Sequence, residues 1–139
     1  DKMCQSKEDI LLWLKEFHEA SASLNAEYFI KKFFNDDAIL QFANNSIIKG
    51  HENLIKNFQK QFDSLDMMHH EIEHFDILPD RIYQYAKILY KVKGDTEIIS
   101  IPGLAVFHKT KDEQKIKRFD VFCDPSPLTD KIQMIHSAQ

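Results

Sequence analysis

The chain has 139 residues, of which 29% are charged, and a formal net charge of −4 at pH 7. A chain of this length is typical of one domain with its own core, so we expect a single domain over residues 1–139. The small negative charge excludes a strongly basic nucleic-acid-binding protein. The apolar runs are too short to span a bilayer. We therefore expect neither a nucleic acid nor a membrane as a partner.

Cysteine and glycine usage narrows the class of protein further. Cys4 and Cys123, one near each end, predict a reduced, cytoplasmic protein without a signal peptide. Only three glycines occur, at positions 50, 94 and 103, and they are far apart. Neither a P-loop nor a dinucleotide-binding G-x-G-x-x-G is therefore present. The 11 phenylalanines predict an aromatic interior.

Three helices are predicted in the first half of the chain. A capping box at residues 6–9 starts the first helix. Asn25 caps the second helix, which residues 35–37 end, and the third covers His51–Phe62. The apolar face of the first helix follows from helical spacing and consists of Ile10, Trp13, Leu14 and Phe17.

The second half of the chain has the alternation of strands. A short hairpin at residues 38–42 and 47–50 precedes the third helix, and longer strands follow from residue 66 to residue 124. Helices followed by strands predict an α+β fold, in which three N-terminal helices pack on the concave face of a curved antiparallel sheet. Residues 1–5 and 129–139 are expected to be loose ends.

Several segments resemble a known family. Residues 33–38 read FFNDDA and residues 48–55 read IKGHENLI, which resembles the signature of the SnoaL-like group of the nuclear transport factor two-like superfamily. Residues 101–107 and 116–125 resemble the last two strands of that fold. The resemblance implies a cone of sheet and helices around one apolar pocket. It also implies a homodimer through the outer face of the sheet.

The resemblance allows a test against two enzyme branches of the superfamily. The acid and base residues of the ketosteroid isomerases correspond to Trp13, Phe42 and Ala105, so proton abstraction of that design is excluded. The catalytic residues of the limonene-type epoxide hydrolases correspond to three apolar residues, which cannot activate water. These are Ala86, Ile88 and Val121. A register slip of one residue would instead place Asp120 in the pocket.

The scytalone-type dehydratases leave one interpretation open. His70 lies on the apolar face of its predicted strand and corresponds to a histidine of those enzymes, with Tyr90 as its partner. An inward imidazole could shuttle a proton near pH 7, but it could equally be a core histidine that Tyr90 satisfies. The Trp13 N–H is expected to donate a hydrogen bond to a ligand oxygen. The predicted pocket lining consists of Trp13, Phe17, Phe34, Phe42, Phe58, Phe62, Met68, Ala86, Ile88, Ala105, Phe119 and Val121.

Other polar residues have simpler explanations. On a straight strand, His70 and His74 would share a face but lie too far apart to bind one metal ion, unless a bulge near His74 closed the gap. His69, Glu71 and Glu73 are expected on a solvated or dimer-facing surface. Asp120 is expected to point outward and pair with a lysine. Cys123 is expected to face inward.

The sequence therefore predicts a domain that binds a small hydrophobic molecule in an apolar cone. A cofactor-independent lyase or isomerase that uses His70 and Tyr90 is one form of this prediction. A non-catalytic ligand-binding or protein-interaction module of the same fold is the alternative. No cofactor and no metal are expected in either case.

Overall fold

The computed structural model describes the backbone of residues 2–138 and the side chains of residues 7–138. Helices and strands alternate irregularly along the first half of the chain, and four strands and a helix make up the second half. The elements are α1 (Lys2–Ala22), α2 (Ala26–Phe33), β1 (Phe34–Phe42), β2 (Ile48–Lys49), α3 (His51–Phe62), β3 (Leu65–Leu78), β4 (Arg81–Val92), β5 (Ile98–His108), β6 (Ile116–Cys123) and α4 (Ser126–Ser137).

The six strands form one sheet in the order β2-β1-β6-β5-β4-β3. Strands β3 to β6 pair antiparallel with their neighbours, as predicted. The sheet is nevertheless mixed, because β1 pairs with β6 in parallel, with Leu40 opposite Phe119 and Phe42 opposite Val121. The predicted α+β class is confirmed, and the predicted purely antiparallel sheet is corrected to a mixed one.

Aromatic side chains fill the space between the helices and the sheet. Phe17 of α1 lies with its ring centroid 4.9 Å from that of Phe29 and 5.0 Å from that of Phe107. Trp13 packs edge-on against Phe33 and Phe107. These rings are almost completely buried. The phenylalanine-rich composition therefore forms a continuous aromatic core.

The helix boundaries differ from the predicted ones at two places. Helix α1 begins at Lys2, so the capping box at residues 6–9 does not start it, and the side chain of Ser6 lies outside the described residues. Asn25 caps α2 as predicted, with its side-chain oxygen accepting from the Tyr28 N–H at 3.1 Å. Helix α2 ends at Phe33, because Phe34 already has extended backbone and begins β1.

Residues 129–137 are helical, in contrast to the predicted loose end at residues 129–139, of which residue 139 lies outside the described residues. Helix α4 covers most of this segment, and Leu128 is buried in the core. Ile132 and Ile135 continue the apolar stripe at helical spacing and pack against the core. Lys131 forms ion pairs with residues 95 and 97, which precede β5. The side chains of the predicted loose start, residues 1–5, lie outside the described residues.

A β-bulge changes the alternation of β3. The register shifts between Ile72 and His74, so that Ile72 lies opposite Ala86 while His74 lies opposite Tyr85. The prediction that His70 and His74 share a face is therefore wrong, because the extra residue, Glu73, moves His74 to the outer side. There the ring of His74 stacks on that of Tyr85 with 5.2 Å between centroids.

Across the described residues, none of the helices has the length and apolar character that a membrane span requires. A cytoplasmic location stays a prediction.

Candidate functional site

A small cavity lies inside the cone, between α1, α3 and the concave face of the sheet. Its volume is about 50 Å³, room for roughly three or four water molecules and well below the roughly 150 Å³ of an apolar cavity that binds benzene. The side chains of the chain itself therefore fill most of the cone. The residues that line it include Phe17, His18, Ser21, Phe29, Phe42, Phe58, Gln61, Met68, His70, Gln84, Ala86, Ile88, Tyr90, Gly103, Ala105, Phe119 and Val121.

Most of the predicted pocket residues meet at this cavity. Nine predicted apolar residues are in its lining, together with His70 and Tyr90. These nine are Phe17, Phe42, Phe58, Met68, Ala86, Ile88, Ala105, Phe119 and Val121. Cys123 is half-buried and packs against the core, on the inner side as expected.

Three residues predicted to line the pocket do not reach the cavity. Phe34 and Phe62 are buried in the aromatic core around it. Trp13 is also in the core, and its indole N–H donates to the backbone carbonyl of Gln114 at 2.9 Å. The prediction that this N–H is available to a ligand is therefore wrong, because the loop before β6 already uses it.

Four polar residues at the cavity were not predicted from the sequence, although the sequence pattern marks two of them as buried. His18 follows Leu14 by four residues and thus continues the buried stripe of α1. Gln84 lies between Ile82 and Ala86 in the inward register of β4. A polar residue at a position where the pattern demands an apolar one is informative. Ser21 and Gln61 also line the cavity.

His18, Gln84 and His70 form one polar cluster at the wall of the cavity. The Nε2 atom of His18 lies 2.7 Å from Oε1 of Gln84. Because a carbonyl oxygen only accepts, Nε2 of His18 carries the proton and Nδ1 has a free lone pair. The rings of His18 and His70 stack with 4.0 Å between centroids and 18° between planes. The Nδ1 atoms of both rings are buried without a hydrogen-bond partner.

Burial keeps both imidazoles neutral at pH 7. Desolvation lowers the pKa of His18 from 6.5 to about 4, although the hydrogen bond with Gln84 opposes this change. Burial and the neighbouring His18 together hold the pKa of His70 well below its usual value. Burial also raises the pKa of the Tyr90 hydroxyl above its usual value. The candidate site is thus uncharged near neutrality.

His70 and Tyr90 are not partners in the way the sequence analysis expected. His70 lies opposite Ile88 and Tyr90 lies opposite Met68 in the pairing of β3 with β4. Among the described side chains, no hydrogen bond joins the two, and His70 contacts the ring of His18 instead. The ring that stacks on His70 therefore comes from α1.

Asp120 lies on the other face of the sheet, as expected. Its carboxylate is 2.8 Å from Nε2 of His108 and accepts from Nε of Arg118 at 2.9 Å. Arg118 also donates to Gln41 of β1 at 2.7 Å. The expected lysine partner is wrong: an arginine and a histidine at neighbouring outward positions of β6 and β5 hold the carboxylate. Asp120 therefore has a structural role in tying β1, β5 and β6 together.

His69, Glu71 and Glu73 are exposed, as predicted. Within residues 7–138, no three His, Cys, Asp or Glu side chains are grouped closely enough to hold a metal ion.

Comparisons with solved structures identify the fold. A candidate SnoaL-like polyketide cyclase from Shewanella denitrificans matches with a TM-score of 0.71 and 16% identity, over 91% of this chain and 97% of that one. A candidate dehydratase of the NTF2-like family from Streptomyces avermitilis matches with a TM-score of 0.67 and 12% identity, over 86% and 97%. No protein-family model and no curated protein matches the chain.

A third solved structure differs in carrying a bound amine. It is a protein from Catenulispora acidiphila with a ketosteroid isomerase-like fold, in complex with trimethylamine, at a TM-score of 0.67 and 14% identity, over 78% of this chain and 82% of that one. These similarities confirm the predicted SnoaL-like, NTF2-like fold.

The neutral histidines make stability depend on pH. Unfolded His18, with its ordinary pKa of 6.5, takes up a proton as the pH falls, whereas folded His18 does so only near pH 4. The unfolded state therefore binds more protons between these values, and stability falls with pH in this window. From pH 7.5 to pH 5, His18 alone accounts for a loss of about 2 kcal/mol in the free energy of unfolding.

Urea unfolding at the two pH values measures this loss. His18→Phe is expected to show a smaller loss than the wild type by about 2 kcal/mol. His136→Phe, a control on the exposed side of α4, is expected to behave as the wild type does. Equal losses in the wild type and His18→Phe would show that His18 is not a buried neutral group.

Proposed function

We propose that this chain binds a small, uncharged, hydrophobic molecule in its cone. The proposal rests on an apolar cavity whose polar groups come from a few residues, chiefly the His18–Gln84–His70 cluster. Among the described residues that line the cavity, none is an aspartate, glutamate, lysine or arginine. A charged ligand would lose its hydration there without gaining a counter-charge.

The small size of the cavity means that binding requires side chains to move. A ligand of more than a few atoms has to displace some of the groups that fill the cone, and the flexible Met68 side chain is one of those in the lining. The two buried Nδ1 atoms without partners favour such a rearrangement, because a ligand could supply the missing hydrogen bonds.

Enlarging an alanine in the cavity tests the binding site. Ala86 is buried in the lining, and Ala86→Leu adds three carbon atoms to a space of about 50 Å³. Titration with 4-octanol, followed by NMR shifts of Phe119 and Val121, should give a dissociation constant at least roughly tenfold weaker in this variant, about the effect of 1.4 kcal/mol. Ser100→Leu, at an exposed position of β5, is the control.

Two results would contradict the proposal. One is unchanged binding of 4-octanol by a folded Ala86→Leu variant. The other is wild-type protein that shows no shifts at the residues of the cone.

Proton-transfer catalysis is the second candidate function. The comparison structures include a candidate cyclase and a candidate dehydratase, and His18 is oriented by Gln84 in the way that a general base is held by a third group. A base with a pKa far below 7 is a weak proton acceptor at neutral pH. The closed site therefore favours binding over catalysis. A cofactor-independent lyase or isomerase that uses His70 and Tyr90 would require the bound ligand to change the surroundings of the imidazole.

Hydrogen–deuterium exchange of 2-hexanone in D₂O tests the catalytic candidate. A proton would pass from the carbon beside the carbonyl to an imidazole nitrogen, and a deuteron would return to that carbon, leaving the ketone otherwise unchanged. Catalysis predicts exchange faster than in buffer, lost in His70→Gln and retained in the exposed control His136→Gln. Exchange at the buffer rate, or equal rates in wild type and His70→Gln, would exclude this role for His70.

A homodimer through the outer face of the sheet is the proposed assembly. Leu104 of β5 and Phe122 of β6 lie opposite each other and are both substantially exposed, with Tyr85 of β4 opposite Leu104 on the other side. Neighbouring exposed apolar side chains of this kind are typical of interaction surfaces. The network of Asp120 with Arg118 flanks them on the same face.

Light scattering after size exclusion measures the assembly. The wild type is expected to have twice the 16.4 kDa mass of the chain. Phe122→Glu should shift the mass to that of the monomer, because it places a charge at the apolar patch. Met134→Glu, at an equally exposed position of α4, should leave the dimer intact. A monomeric wild type, or a dimeric Phe122→Glu variant, would contradict this interface.

A further inference from the structure

A second, larger depression lies directly behind the polar cluster. It is a groove of about 630 Å³ between α1 and β3, lined on one side by residues such as Leu11 and Lys15 and on the other by Ile72 and Phe75. His18 and His70 line both this groove and the inner cavity. The stacked rings of these two histidines are therefore the wall that separates the two spaces.

The lining of the groove has as many lysines as glutamates. Lys7 and Lys15 face it together with Glu19 and Glu73, and the ammonium group of Lys7 lies 5.6 Å from the centre of the Phe75 ring. His69 and His74 of β3 also line the groove, and apolar side chains from α1 and β3 cover the rest of its surface. A groove of this composition fits a molecule with an apolar body and no net charge.

The wall between the two spaces is incompletely bonded in its closed form. The Nδ1 atoms of His18 and His70 are both buried without a partner, a condition that proteins generally avoid. Because Nε2 of His18 donates to Gln84, the free position on His18 is a lone pair. Only a group with an O–H or N–H can satisfy it.

We propose that the groove between α1 and β3 is the entrance and the outer half of the ligand site. The ligand is an uncharged, elongated molecule with a hydroxyl group along an apolar chain. On entry it separates the His18–His70 stack, donates its hydroxyl hydrogen to Nδ1 of His18, and places one apolar arm in the cone and the other in the groove. This inference rests on the proposed binding function and adds the route and the chemical class of the ligand.

The volumes support a ligand that occupies both spaces. The cone alone offers about 50 Å³, whereas the groove offers more than ten times as much. A molecule held only in the groove would leave the apolar cavity and the buried Nδ1 atoms unused. A molecule that extends through the wall reaches both the apolar lining and the unpaired lone pair.

A matched pair of ligands tests the hydroxyl requirement. The probes are 4-octanol and 4-methoxyoctane, which share the apolar chain and the oxygen but differ in the O–H donor. Wild-type protein should bind the alcohol roughly fivefold more tightly than the ether, as expected for one hydrogen bond. His18→Phe keeps an aromatic ring at the stack and should remove this preference. In wild-type protein, the ¹⁵N shift of His18 Nδ1 should move with the alcohol and stay unchanged with the ether.

A large side chain placed in the groove tests whether ligands enter through it. Ala22 lines the groove and is exposed, so that Ala22→Trp should block it and weaken the binding of both probes by at least roughly tenfold, the equivalent of 1.4 kcal/mol. Leu12→Trp is the control, because Leu12 is exposed on α1 and does not line the groove.

The outcomes separate this inference from the proposed function. If both probes bind equally well and Ala86→Leu abolishes binding, the cone binds a ligand but the role of the His18 lone pair is refuted. If Ala22→Trp binds as Leu12→Trp does, the entrance lies elsewhere. If the wild type binds neither probe, the proposed function itself fails, and the inference fails with it.

Discussion

The packing of aromatic rings around Phe17 is the constraint on which the site depends. This side chain has ring centroids within 6 Å of those of Trp13, Phe29, Phe33, Phe34, Phe107 and Phe119. The cluster joins α1 and α2 to the inner faces of β5 and β6, and thereby fixes the distance between helix and sheet. It also fills most of the cone. Little free volume remains, and the next residue along α1, His18, is held against β3 and β4.

The electrostatics of the site follow from this packing. Helix α1 brings His18 into a region with almost no water, where the cost of a charge exceeds what the hydrogen bond with Gln84 returns. Burial lowers the pKa of His70 as well, and the two rings can stack closely because neither carries a charge. A site built in this way recognises hydrogen-bond donors and apolar surface. The outer face of the sheet is the opposite case, since the carboxylate of Asp120 lies there beside the guanidinium of Arg118.

Much of the fold was predictable from periodicity, because long strands and amphipathic helices have strong signals. The inward residues of β4 to β6 follow simple alternation, and their predicted members lie at the cavity for this reason. The position of His74 depended on whether a bulge forms near it, and nothing local marks Glu73 as the extra residue of that bulge. The free space in the cone could not be predicted either, because it depends on how the buried phenylalanines pack together. His18 and Gln84 were missed although each interrupts an apolar stripe.

His18 and Gln84 are the main support for a binding function, because each of these polar side chains lowers the stability of an apolar core. Replacing His18 and Gln84 by apolar residues of similar size would leave the aromatic packing intact and remove two desolvated polar groups. The hydrogen bond between them recovers part of that cost, yet it leaves Nδ1 of His18 unpaired, as Nδ1 of His70 also is. A purely structural pair would be expected to satisfy its remaining nitrogens within the fold. The unsatisfied atoms lie at the wall between an apolar cavity and an open groove, which is where a ligand can complete the hydrogen bonding that the chain itself does not provide.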